Sequence, residues 1–242
     1  MRPYIICHMF SSIDGRLHPS RYTVPVSGVS AEMLDGLYYR IAARLESEGW
    51  IVGRKTMAEL YGVAGRGVTT NRTFARELHI GDRGGRDLAV AIDPSGRVHY
   101  GQDNIEGDHI VAVLGEQVSD DYLAELREDG VSYIFAGPKG DDLPSAMAQL
   151  ANLFGVKRLL LEGGGIVNGS FLKHRLIDEF GTLIYSAVDG LAGTDSIVDY
   201  PGEKEERPGQ GQSLRLIGCE VLDGGMVWLR HAVEDAPTLT TP

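Results

Sequence analysis

The chain has 242 residues, 43% hydrophobic and 24% charged, the balance of an ordinary globular protein able to bury a sizeable core. Its formal net charge of −11 argues against nucleic acid or an anionic membrane surface as the main partner, and leaves a small anionic ligand to local arginines. No apolar run reaches the ~20 residues needed to span a bilayer, and the N-terminal MRPYIICHMF lacks the long apolar region of a signal peptide.

Cys7 and Cys219 both fall in strand-like segments, as expected of reduced, buried thiols. There is no C-x-x-C pair, and the seven histidines show no metal-ligand spacing. The expectation is a cytoplasmic protein without a metal.

In chain order, residues 4–9 read as a first strand, followed by a polar, breaker-rich loop over 11–28. Helical spacing through Met33, Leu37, Ile41 and Leu45 predicts a helix from Ser30, its N-cap, to about Glu48. Residues 50–53 form a short strand that runs into a helix over 55–61. Residues 62–86, rich in Gly, Thr and Arg, are too long for a mere connector and are either a functional loop or mobile. Strands follow at 88–93, 109–114, 132–136 and 158–161, with helices at 120–128 and 143–154 separating the last three. Such alternation predicts right-handed crossovers and a mainly parallel sheet. Strands at 179–186, 213–222 and 226–231 complete the pattern, the last two joined by Asp223-Gly224-Gly225, a hairpin signal. The expected organisation is one domain over 1–233 and a frayed tail over 234–242.

Three strand ends carry chemistry. The apolar run 159–161 ends in Glu162 and then Gly163, Gly164 and Gly165, before an amphipathic segment. That order suits a buried strand, a tight turn and a helix N-terminus open to a phosphate. The same glycines would also serve close strand–helix packing. The spacing misses the dinucleotide fingerprint, since Asn168 stands where its third glycine belongs. At the second strand end, Gly53 precedes a helix whose first turn carries Arg54 and Thr56, which suit either an anion or a solvated cap. Ser11-Ser-Ile-Asp-Gly-Arg16 follows the first strand, with Asp14-Gly15 marking a turn. Strand ends of an open parallel sheet share one edge, where ligands bind.

These segments resemble the dihydrofolate reductase-like superfamily, and within it the reductase domain of bifunctional riboflavin-biosynthesis deaminase/reductase proteins. Residues 11–16 are similar to that domain's A-S-L-D-G-R loop, and Val-Gly-Arg-Lys-Thr at 52–56 to the G-R-x-T cofactor motif of dihydrofolate reductases. Leu-Glu-Gly-Gly-Gly at 161–165, Gly-Ser-Phe-Leu at 169–172 and Leu-Ile-Asp-Glu at 176–179 match the E-G-G…F-L…L-V-D-E block. The likeness runs from about residue 3 to 231.

The resemblance implies an α/β fold of the dihydrofolate reductase-like type. One mainly parallel central sheet would carry helices on both faces and antiparallel strands at its C-terminal end. It also implies NADPH as cofactor, with NADH the alternative, and a homodimer. Ser11 would touch the nicotinamide end, while Gly53, Arg54 and Thr56 would hold phosphates. Gly163, Gly164, Gly165, Ile166, Val167 and Asn168 would bind pyrophosphate by backbone, with a Gly–Gly bond cis. Asp93 and Ser95 would lie at the adenosine end. Glu162 would face the substrate and stabilise its iminium charge or deliver a proton. Asp14 is a weaker acid candidate and a turn former; Arg44 and Arg72 are substrate-side arginines.

Two departures bear on the substrate. No zinc deaminase domain precedes this one, so the reduction alone is expected. The A-D-x-P-x-L-T-x-R segment that holds the ribose phosphate is replaced by 58–76, with Arg66, Thr69, Thr70 and Arg72 as substitutes. The leading reading is reduction of the ribosyl group of 5-amino-6-(5-phosphoribosylamino)uracil, or its diaminopyrimidinone precursor, to the ribityl group. Alternatives are a reductase of another heterocyclic imine or carbonyl, and a non-catalytic nucleotide-binding protein.

Overall fold

In the computed structural model, which describes residues 1–26 and 29–237, contacts gather the chain into two units. One comprises residues 1–3 and 48–159, the other 4–47 and 160–242.

The first unit holds β2 (Gly49–Gly53), α2 (Arg54–Tyr61), β3 (Leu88–Ile92), β4 (Asn104–Ile105), β5 (Asp108–Leu114), α3 (Asp120–Asp129), β6 (Ser132–Phe135) and α4 (Leu143–Phe154). Parallel pairs join β2 to β3, β3 to β5 and β5 to β6. LAVAI of β3 is buried at every position, as in a parallel strand covered on both faces. Ser119 caps the start of α3 and Asp142 that of α4, and left-handed Gly130 and Gly155 end them. The core of this unit includes Met57, Ala89, Ile110, Leu123, Leu126 and Tyr133. The sequence pattern missed β4, two residues paired antiparallel with β5 through Glu106 and Gly107, both at positive φ.

The long segment after α2 forms no helix or strand, yet it is pinned. Backbone N–H groups of Arg66, Thr70 and Phe74 donate to Glu125, Asp121 and Asp120 of α3 at 3.5, 2.8 and 3.2 Å. The Arg66 and Arg76 guanidinium groups pair with Asp129 and Asp120 at 2.6 and 2.7 Å. Phe74 packs on the core beneath Arg127.

The second unit holds β1 (Tyr4–Ser11), α1 (Ala31–Ala43), α5 (Gly165–Lys173), β8 (Glu179–Ile184), β9 (Gln212–Val221) and β10 (Val227–Asp235). β7 (Arg158–Leu161) spans the division at residue 159. β8 pairs parallel with β1 and antiparallel with β10, which pairs antiparallel with β9. The expected C-terminal hairpin is therefore present, turned by Asp223–Gly225 with Gly224 at φ 71°. With mostly parallel pairs and antiparallel C-terminal strands, the fold is α/β, as expected.

Two boundaries and one burial differ from expectation. α1 stops at Ala43 because Arg44 to Glu46 turn away, Glu46 at positive φ. β10 runs to Asp235, paired with Gln212, so Glu234 and Asp235, expected in a frayed tail, belong to the sheet; residues 238–242, like 27–28 of the polar loop, lie outside the described residues. Cys7 is buried, but Cys219 is exposed on β9, a correction that follows from β9 being the last strand of the sheet.

Candidate active site

In the second unit, β1 delivers Ser11 and Ser12, both almost fully buried, into the loop that follows. The Ser12 hydroxyl donates to Asp14 at 2.6 Å and accepts from the Arg16 N–H at 3.0 Å. Asp14 also accepts the backbone N–H groups of Gly190 and Asp189 at 2.9 and 3.2 Å. The Ser12 hydroxyl, followed by the Gly190 N–H, holds the Asp14 carboxyl at about 2. Asp14 is thus ionised at neutral pH, which corrects its candidacy as a general acid: it builds the turn.

The sign of this shift fixes a pH window. A depressed carboxylate stabilises the fold above its ordinary value of 3.8 and loses that contribution as pH falls toward about 2. Asp14→Asn is expected to flatten the fall in melting temperature across that window and to leave the acid limb of the turnover profile in place. Loss of that limb would restore Asp14 as the acid.

Asp14 also anchors a segment that the sequence pattern left unremarked, residues 187–200. Ile13 N–H donates to Ala187 O at 2.9 Å, the Arg16 guanidinium to Thr194 O at 2.8 Å, and Leu17 N–H to Asp195 O at 3.2 Å. The same segment crosses α5, where Asp199 N–H donates to Gly165 O at 2.9 Å and Asn168 Nδ2 to Ile197 O at 2.7 Å. It straps the Ser11 loop to the glycine turn.

The glycines divide by partner. The Gly163–Gly164 bond is cis, as the resemblance implies, and Gly163 has φ 98°. A Cβ on Gly163 would meet Met9 Cε at 3.0 Å. On Gly165 it would lie 2.3 Å from Ser196 O, and on Gly169 2.1 Å from Asp199 O. Those two glycines are demanded by the strap, so close packing, one of the two readings of the run, accounts for them. Asn168 is fully buried and turned to the strap. Its backbone N–H donates to Gly164 O at 3.1 Å, which corrects its expected place among the backbone contacts to pyrophosphate.

Helix starts separate the ligand candidates from ordinary caps. Side chains of Ser30, Ser119 and Asp142 cap α1, α3 and α4. Gly53 and Gly164 start α2 and α5 with no side-chain cap. The earliest N–H groups of a helix lack an intrahelical partner and suit anionic phosphate oxygens. In α5 those of Val167 and Asn168 already donate to Gly164 O at 3.0 and 3.1 Å, which leaves Gly165 and Ile166 for that role. At the two helix starts Arg54 and Ile166 are exposed, and Thr56 and Val167 half-buried. These are the positions at which the sequence suggested dinucleotide phosphates, and they fit such a group.

Elsewhere in the first unit, Asp93 is fully buried and accepts from the N–H groups of Arg97 and Val98 at 2.6 and 2.8 Å, with the Tyr122 hydroxyl at 3.4 Å. Its expected place at the adenosine end of the cofactor is corrected to a turn-forming role. Ser95 and Arg72 are exposed.

Glu162 follows β7, half-buried; the phenol of Tyr38 on α1 is raised by burial and then by the charge of Glu162, and its hydroxyl donates to His8 O at 3.3 Å. Arg44 caps α1 and grips Glu220 with two bonds of 3.1 and 2.8 Å, its guanidinium 4.7 Å above the Trp228 ring. Its charge is engaged by the C-terminal hairpin rather than offered to a substrate. Among the described residues, no group of three His, Cys, Asp or Glu is placed to hold a metal ion, and no helix is long and apolar enough to cross a membrane.

The sequence model of the RibD C-terminal domain matches residues 3–228. The chain belongs to the RibD C-terminal domain family. A relative from Methanothermobacter thermautotrophicus, named 2,5-diamino-6-ribosylamino-4(3H)-pyrimidinone 5′-phosphate reductase, is 27% identical over 85% of this chain and 88% of its own. A protein of the same name from Aquifex aeolicus is 24% identical over 84% and 86%. Among solved structures, a pyrimidine reductase-like protein from Corynebacterium diphtheriae superposes with a TM-score of 0.67 over 97% of this chain and 93% of that one, at 18% identity. Saccharomyces cerevisiae riboflavin biosynthesis reductase Rib7 gives 0.57 over 96% and 90%, at 16% identity. At such identities the structures speak for the fold.

Within this RibD C-terminal domain, the residues that sequence reasoning missed are Tyr38 and the strap residues Ser196 and Asp199. Ser196-x-x-Asp199 carried a local signal, since Asp199 accepts from the Ser196 N–H at 2.8 Å and from its hydroxyl at 3.0 Å. Tyr38 had none beyond a polar tip on the buried stripe of α1. The substitutes suggested for the missing ribose-phosphate segment separate here: Arg66 is spent on Asp129 and Glu128, while Arg72 is exposed.

Proposed function

We propose that the chain is an NAD(P)H-dependent reductase of 2,5-diamino-6-ribosylamino-4(3H)-pyrimidinone 5′-phosphate, converting the ribosyl group to ribityl. The observation that carries the reading is the pair of glycine-started, uncapped helices at the two motif positions, with Glu162 directly before the cis glycine turn. The names of two relatives, each aligned over more than four-fifths of its length, supply the substrate. They favour the diaminopyrimidinone over its deaminated uracil counterpart.

In the ring-opened sugar, C1′ is joined to nitrogen as an imine. Bound reduced nicotinamide supplies a hydride to C1′, and the nitrogen must gain a proton. Glu162 is the group assigned to that proton, or to the positive charge that precedes reduction. Ser11, the backbone N–H groups of Gly164 to Ile166, and Gly53, Arg54 and Thr56 are the groups assigned to the cofactor. NADPH is the cofactor proposed, with Arg54 or Arg97 recognising the 2′-phosphate; Arg72 is assigned to the substrate phosphate. A cytoplasmic homodimer completes the reading. Exposed Leu214, Leu216, Ile217 and Val221 on β9 support self-association.

The test is oxidation of NADPH and NADH with the diaminopyrimidinone, the aminouracil and dihydrofolate side by side. The fastest turnover is expected with NADPH and the diaminopyrimidinone. Turnover of dihydrofolate alone would replace the substrate, and cofactor binding without turnover of any compound would favour a non-catalytic protein.

A further inference from the structure

We propose that His109, Ser132 and Arg86 form a proton-operated latch, which holds residues 79–86 on β5 and β6 while the imidazole is neutral and releases them when it gains a proton. This device lies outside the reductase reading and stands without it.

The latch is a chain of hydrogen bonds inside the first unit. His109, near the start of β5, and Ser132, at the start of β6, are both fully buried. The imidazole Nε2 lies 2.7 Å from Ser132 Oγ, and Nδ1 lies 3.2 Å from Arg86 Nη2. Ser132 Oγ also accepts the Gly81 N–H at 2.9 Å. A Cβ on Gly81 would lie 2.1 Å from Gly130 O and 3.4 Å from His109 Cε1, so bare backbone packs against the ring. The Arg86 guanidinium donates to Asp103 and to Arg83 O, each at 2.7 Å, and to Asp82 O, and so closes its own turn. Ahead of that turn, His79 and Tyr133 exchange two backbone bonds of 2.9 Å.

A guanidinium nitrogen can only donate. His109 Nδ1 therefore accepts, and the hydrogen of the neutral ring sits on Nε2, aimed at Ser132. A second proton would have to go on Nδ1. There it would meet the Arg86 N–H, donor against donor and cation against cation.

Burial, and then the charge of Arg86, hold His109 below its ordinary value of 6.5. Arg83 adds to that effect, whereas Asp103 and Asp82 oppose it. Asp87 meets His109 through its backbone carbonyl, at 2.7 Å from the His109 N–H, and Asp108 is turned to Trp50 Nε1. Asn104, the partner of His109 on β4, carries no charge. His79, the other histidine of the segment, lies against the Tyr133 ring and is lowered by burial and by Arg127.

Above pH 6.5 neither the closed nor the open ring carries the extra proton, and the latch has its full strength. Below that value the open ring takes a proton that the closed ring refuses, so closure weakens as pH falls, until the closed ring is protonated too. Acid thus releases the second half of the long segment after α2, while its anchors on α3 keep the first.

Hydrogen exchange of the full chain, followed amide by amide, tests the latch. Protection of the Gly81 and Arg86 amides is expected to fall about threefold or more from about pH 7.5 to about pH 5. The Phe74 amide donates to Asp120, whose carboxyl Arg76 holds below its usual range, and is expected to keep its protection. His109→Gln retains a donor for Ser132 and an acceptor for Arg86 but has no proton to gain, so Gly81 and Arg86 are expected to stay protected in acid. A fall of the same size in that variant would assign the change to His79 and overturn the proposal. The wild-type protein gives a second reading that needs no variant. Nitrogen NMR shifts of His109 at neutral pH are expected to show Nε2 protonated and Nδ1 bare. A hydrogen on Nδ1, or an equal loss of protection at Phe74, overturns the proposal.

Discussion

Glu162→Gln is expected to lower kcat by about tenfold or more while dinucleotide affinity stays within about twofold. The amide keeps the shape of the carboxylate, but it has no charge to set against an iminium and no proton to exchange. General acid–base contributions commonly reach ~10²–10⁴-fold, and a tenfold loss corresponds to about 1.4 kcal/mol at the transition state. Because Glu162 is half-buried and the amide has the same shape, the thermal melt of the variant is expected to match wild type. Pre-steady-state and steady-state kinetics with the diaminopyrimidinone would check this. Wild-type turnover would remove Glu162 from the chemistry.

Gly169→Ala is expected to be the more damaging change to the fold, although it adds one methyl group. That methyl would sit 2.1 Å from Asp199 O and 2.5 Å from the carbonyl carbon, so backbone must move. Overpacking of this kind costs about 1–3 kcal/mol, or a melting temperature lower by roughly 2–12 °C for a domain of this size. The strap it displaces also holds Asn168 and the Arg16 loop, so dinucleotide KM is expected to rise together with the loss of stability. Gly36→Ala on α1 is the matched control, since its added atom comes no nearer than 4.0 Å to the Arg40 guanidinium. There, better helix propensity should leave the protein as stable or slightly more so. Equal melting curves for the two variants would mean that the strap yields freely.

Local patterns read well where one element decides its own fate. LAVAI formed the expected strand, α4 ran over 143–154 as its spacing predicted, and Asp223-Gly224-Gly225 turned a hairpin. The failures share a cause, a partner distant in sequence. Asp93, expected at the adenosine end of the cofactor, is closed over by Val98 and Tyr122. Arg44 looked available until Glu220 and Trp228 took its charge. The run of glycines was legible as a place of close approach, but only the strap at 196–199 tells which of them yield to the chain's own backbone. What stayed legible in the site was the order of its motifs, because each begins at the end of an apolar strand.

The segment along α3 has a consequence for how this protein can change. Its address is written in main-chain donors: the N–H groups of Arg66, Thr70 and Phe74, every fourth residue, reach carboxylates of one helix. Every amino acid except proline brings the same N–H to such a contact. Thr69, Asn71, Arg72 and Thr73 between the anchors are exposed. Their side chains can be exchanged while the loop keeps its course, so the surface chemistry of this stretch can drift without renegotiating the fold.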